Sequence, residues 1–177
     1  MNIKHFSIAI IATLMVLNLA AMEQAKPIIY DPNIVVHIIN KTDQGYNIAP
    51  IQSGTSGTVA NEERATIVKA QQTTKVDLTK DWHYPNEMVN VINRTNGLII
   101  GKGKGKGNRL LTVFINFYPE YSPGMLDVSL AGVNDWTAFD SGEVKFNNSR
   151  KTDFLINLYL DGDDLKKSHS EITAIER

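Results

Sequence analysis

Cysteine is absent from this chain, which excludes disulfides, zinc–thiolate sites and thiol catalysis together. Histidine is scarce at four residues, and no His-x-x-x-His spacing occurs. There is no Gly-x-Ser-x-Gly elbow; Ser56 sits in Gly-Thr-Ser-Gly-Thr instead. Neither nucleotide fingerprint fits the run Gly101 to Gly107, because Lys106 stands where both patterns require glycine. Amphipathic 3.6-residue periodicity over three turns is missing beyond the N-terminal segment. An excess of either charge is missing too, with 18 basic and 19 acidic residues. That balance argues against dedicated nucleic-acid binding, which calls for a clearly basic domain.

What the chain does carry begins at its start. Met1 to His5 is polar, with a positive charge at Lys4. Phe6 to Leu19 is apolar except for Ser7, Thr13 and Asn18. Small Ala20 and Ala21 follow, then polar Glu23 and Gln24. This is the layout of a cleavable secretory signal helix, and its 14-residue apolar run falls short of the ~20 that span a bilayer. Cleavage is expected after Ala21, with Ala25 as the alternative. The expected product is exported, periplasmic or extracellular, with no transmembrane helix and no lipid-modified cysteine. Residues 22–33 then form an N-terminal extension, and 34–177 a single domain large enough to bury a core without disulfides.

Within that domain short β-rich runs alternate with turn residues. The strand candidates are 34–39, 65–70, 75–78, 88–94, 98–100, 110–118, 125–130, 144–146, 154–160 and a weaker 171–175. In 110–118, Leu111, Val113, Ile115 and Phe117 share one face, and Thr112, Phe114, Asn116 and Tyr118 the other. Asn96-Gly97 between two runs predicts a hairpin. The pattern predicts an all-β fold, an antiparallel β-sandwich with Greek-key-like connections. The competing architecture is a small outer-membrane β-barrel. Its strands need 9–11 residues and a polar inner face, whereas runs 34–39 and 110–117 are apolar on both faces.

Three segments carry chemistry. Lys102, Lys104 and Lys106, with Arg109, form a basic hairpin loop. If extended, its lysines point one way and act together on an anionic surface. Trp82, Tyr84, Tyr118, Tyr121 and Trp136 lie in proline- and asparagine-containing loops, as aromatic contacts for a sugar, a membrane interface or a protein. Asp161, Asp163 and Asp164 are hard oxygen ligands on one turn, and calcium is the only cofactor they suggest. His169-Ser170-Glu171 juxtaposes triad residue types, which only geometry can test. Three Asn-x-Ser/Thr sequons, at Asn40, Asn93 and Asn147, are about the number chance supplies.

The expected function is that of an exported, non-enzymatic binding module recognising a surface, a glycan or a protein partner through its loops. The alternatives are a membrane-active sandwich that binds lipid or forms pores, a hydrolase whose paired carboxylates come from separate strands, and the outer-membrane barrel.

Overall fold

The computed structural model describes residues 32–52, 59–78, 95–119, 121–132, 137–147 and 150–177. The expected signal segment, the Trp82 segment and the 88–94 run lie outside these residues. The described strands are β1 (Ile34–Asn40), β2 (Tyr46–Gln52), β3 (Val59–Ala60), β4 (Thr66–Val68), β5 (Thr73–Asp77) and β6 (Thr95–Gly101). They continue with β7 (Arg109–Tyr118), β8 (Gly124–Gly132), β9 (Ala138–Phe146), β10 (Thr152–Leu160) and β11 (His169–Glu176).

These strands build two packed sheets, the sandwich that the alternation predicts. The smaller has the order β11-β10-β1-β5. The larger runs β3-β2-β6-β7-β8-β9, with β4 also paired to β2. Period-two alternation explains the packing. Ile34, Val36 and Ile38 of β1 and Phe154, Ile156 and Leu158 of β10 face inward. Leu111, Val113, Ile115 and Phe117 of β7 and Leu126, Val128 and Leu130 of β8 meet them from the other sheet. Full burial of each such side chain stabilises the fold by about 1.5–3 kcal/mol. The space between the sheets is therefore a solid apolar core, where a porin-like lumen would be polar.

One aromatic cluster ties the sheets together. Phe117 stacks on Phe146 at 5.4 Å between centroids, and Phe154 meets both edge-on at 5.7 and 5.2 Å. Gly124, opposite Phe146 in the β8–β9 register, leaves room for that ring; a Cβ there would lie 2.6 Å from it. The edge strands β9 and β11 also approach each other. The Ser170 backbone N–H donates to Asp140 Oδ2 at 3.0 Å, so each edge shields the other.

Three features depart from the sequence expectation. The strands are not all antiparallel: β1 runs parallel to β10, from Ile34 opposite Phe154 to Asn40 opposite Leu160. Asn96-Gly97 is not a turn. Both residues lie inside β6, paired with Ile115 and Phe114 of β7. Glycine is needed at 97 because a Cβ would sit 1.8 Å from the Val113 carbonyl oxygen.

The third departure is β2, a strand over residues the sequence reading leaves unassigned, with Pro50 inside it. The Pro50 carbonyl accepts from the Asn61 N–H at 2.8 Å. In an extended strand the N and O of one residue point to the same side. The missing N–H therefore faces the margin between β3 and β4, where pairing is already interrupted, and costs no bond to β6.

The Asn40 sequon is structural. Its buried side-chain amide donates to the carbonyls of Gln44 at 2.7 Å and Lys69 at 2.9 Å, and its oxygen accepts from the Thr42 N–H at 3.0 Å. In this fold its nitrogen is committed to the β1–β2 turn and is not an open acceptor for a sugar.

Candidate functional site

The basic loop joins β6 to β7, as the sequence predicts, but it is not extended. The Lys102 N–H donates to the Asn108 carbonyl at 2.9 Å, and the Asn108 side chain donates to the Lys104 carbonyl at 2.7 Å. Lys106–Asn108 forms a 3-10 turn. Gly105 takes φ +91°, a left-handed conformation open to glycine. Its N–H donates to Glu62 Oε1 at 3.3 Å, while Asn47 donates to Glu62 Oε2 at 3.4 Å. Lys102 and Lys104 are exposed and Arg109 is partly buried. The even row of lysines assumed for an extended run does not form.

The acidic turn gives one oxygen each of Asp161 and Asp164 to its own backbone, and Asp163 is exposed. Asp161 Oδ1 accepts from the Gly162 N–H at 2.7 Å, and Asp164 Oδ1 from the Lys166 N–H at 3.1 Å. Lys166 Nζ lies 3.7 Å from Asp164. Among the described residues, no three His, Asp or Glu side chains converge on one metal position. His169, Ser170 and Glu171 lie on a strand, so Ser170 points away from the other two. Its hydroxyl reaches Asp140 instead, at 3.3 Å. His169 stacks on Tyr159 at 4.7 Å, and Lys41 Nζ lies 4.6 Å from the centroid of that ring. The Tyr159 hydroxyl donates to Glu171 at 2.9 Å, which raises the pKa of the phenol. No triad forms here.

Of the aromatic candidates, Trp82, Tyr84 and Trp136 lie outside the described residues. The structure brings the other two together. Tyr118 and Tyr121 stack at 5.1 Å with their planes 3° apart, and Tyr121 is 46% exposed. They flank the far end of β7 from the basic loop. The nine residue steps from Arg109 to Tyr118 correspond to about 30 Å. The lysines and these two rings therefore cannot share one binding surface.

Beside the tyrosine pair, the outer face of the larger sheet carries a polar row that the sequence reading misses. Asp127 of β8 lies opposite Asn116 of β7 on one side and Glu143 of β9 on the other. The next row holds Ser129 and Ser141, and the one before holds Tyr118, Met125 and Lys145. Met125, Asp127, Ser141, Gly142 and Glu143 line an open depression of about 420 Å³. Alternation at Asn116, Tyr118, Asp127 and Ser129 is visible in the sequence, but only the strand register shows that these residues adjoin.

Asp127 is the electrostatic focus. Asn116 Nδ2 donates to its Oδ2 at 3.0 Å, while Oδ1 is shielded from water and accepts no hydrogen bond. Desolvation raises its pKa above 3.8, and the Glu143 charge adds to this, against the lowering effect of the Asn116 hydrogen bond. A raised folded-state pKa means the fold holds the proton more tightly than the unfolded chain does. The stabilisation is complete below pH 3.8 and is lost as pH rises through the higher folded value. Asp127→Asn keeps the acceptor for Asn116 without the charge. Urea denaturation is expected to show this variant more stable than the native chain at pH 7. That advantage should shrink towards pH 3.5; an advantage of equal size at both pH values would assign it to another cause.

Comparison with protein families, with characterised proteins and with solved structures finds no match for the chain. No helix among the described residues is long and apolar enough to cross a membrane.

Proposed function

We propose that the protein is an exported, non-enzymatic module that binds a neutral glycan on the outer face of its larger sheet. The observation that carries this reading is the stacked Tyr118–Tyr121 pair beside a row of hydrogen-bonding side chains. A sugar ring presents an apolar C–H face and a rim of hydroxyls. Tyr121 offers a rigid, exposed ring for the former. Glu143 and Ser141, both exposed on the neighbouring edge strand, offer acceptors for the latter. The Glu143 carboxylate also faces Lys145 at 3.8 Å, an exposed pair that contributes little. With carboxylates at 127 and 143, the face disfavours sulfated or uronic sugars.

A glycan array followed by titration calorimetry tests the proposal. Neutral oligosaccharides should bind, and Tyr121→Ala should weaken binding at least tenfold, about 1.4 kcal/mol. Tyr121→Phe should bind like the native chain. An array without neutral hits, or undiminished binding by Tyr121→Ala, refutes the reading. The membrane-active alternative rests on the exposed lysines. Co-sedimentation with anionic phospholipid vesicles that is lost in Lys102→Ser/Lys104→Ser/Lys106→Ser would favour it instead.

A further inference from the structure

The smaller sheet has an outer face of its own, unrelated to the tyrosine pair. Its two central strands, β1 and β10, present Val35, Ile39, Leu155 and Tyr159 there. All four are only partly buried, whereas their inward-facing neighbours Val36, Ile38, Ile156 and Leu158 are fully buried. Between the two apolar rows runs a polar one. Lys75 of β5 lies beside His37 of β1, which lies beside Asn157 of β10, which lies beside Glu171 of β11. The row therefore ends in a cation on one edge strand and an anion on the other, both exposed. Three inter-strand steps separate them by about 14 Å. Glu171 is held in place by the Tyr159 hydroxyl at 2.9 Å.

This arrangement is its own complement. A two-fold axis parallel to the strands and midway between β1 and β10 exchanges the two ends of every row. It sets Lys75 of one copy against Glu171 of the other, twice. It also sets Val35 against Leu155, apolar against apolar, and Ile39 against Tyr159, whose ring is packed with His169 and Lys41. Such isologous pairing is what a symmetric dimer requires; at its centre the same axis sets His37 against Asn157, with an apolar row on either side. We infer that this face is the dimer interface of the protein, with Lys75 and Glu171 as reciprocal partners across a two-fold axis.

The footprint is small. Four strands by about seven residues cover roughly 450 Å² per copy, below the ~800 Å² of a standard interface. The dimer is accordingly weak, with a dissociation constant on the order of 10–100 µM. The outer faces of the two larger sheets are left pointing in opposite directions.

Sedimentation velocity on the full chain, from micromolar to near-millimolar concentration, tests the inference. The native chain should pass from monomer to dimer. Lys75→Glu and Glu171→Lys should each raise the dissociation constant at least tenfold, because each opposes like charges twice. The double exchange Lys75→Glu/Glu171→Lys should dimerise again, since the swapped charges still oppose one another. That rescue would not follow if the single variants acted by local misfolding. A native chain that stays monomeric throughout overturns the inference. So do single variants that dimerise normally, or a double variant no better than either single.

Discussion

Replacing Gly97 with alanine is expected to destabilise the fold by about 3 kcal/mol or more, close to the largest effect available to one methyl group. The added Cβ would lie 1.8 Å from the Val113 carbonyl oxygen and 2.9 Å from the Val113 carbonyl carbon. Both are backbone atoms of β7 and cannot rotate aside as a side chain would. Relief requires β6 and β7 to separate, at the centre of the larger sheet and directly against the core residues Leu98 and Val113. A urea titration should show a much lower midpoint for Gly97→Ala with an unchanged slope. Gly132→Ala provides the control. A Cβ there meets nothing within 4 Å, so its midpoint should move little. Equal midpoints for the two variants would mean that the strands are not this close.

The second large effect lies in the aromatic cluster. Phe117→Ala should cost about 3–5 kcal/mol. Phe117 is buried, stacks on Phe146 of β9 in its own sheet, and meets Phe154 of β10 across the core. Truncation opens a cavity that two rigid rings cannot fill, and Gly124 beneath Phe146 adds no side chain to collapse into it. Against a typical total of 5–15 kcal/mol, such a loss leaves little margin at 37 °C. Thermal unfolding should show the loss directly. Phe117→Leu should recover more than half of it, because the side chain refills most of the volume. A Phe117→Ala melt within a few degrees of the native one would show that the cluster is not a structural tie.

Much of this core is legible in the sequence because the inward faces of the long strands β7, β8 and β10 are apolar through the core, and β8 alternates cleanly. Leu126, Val128 and Leu130 against Asp127 and Ser129 need no tertiary information to orient. What escapes the sequence is pairing at long range. Asn96-Gly97 has the chemistry of a turn, and only the approach of β7 shows that the glycine makes room for a neighbouring strand. Pro50 disguises β2, because its tolerance depends on a break between β3 and β4 that local propensity does not encode. The site divides in the same way. Tyr118 and Tyr121 are recognisable as contact residues, but their stacking depends on the path of the turn between them. Asp127 and Glu143 are 16 positions apart in the chain and become neighbours only through the β8–β9 register. The glycine–lysine run is conspicuous by composition, yet Glu62, 43 positions earlier, is what fastens it.

The parallel pairing of β1 with β10 also governs when the molecule can become itself. Ile34 and Phe154 are neighbours although 120 positions separate them, and nearly the whole domain is made between the two. Closing so long a loop delays the native contacts on which the smaller sheet depends. Until β10 is present, β1 has only the short strand β5 beside it and one side of its backbone unpaired. In a growing chain the smaller sheet therefore closes last. It locks in one late step, when β10 reaches β1.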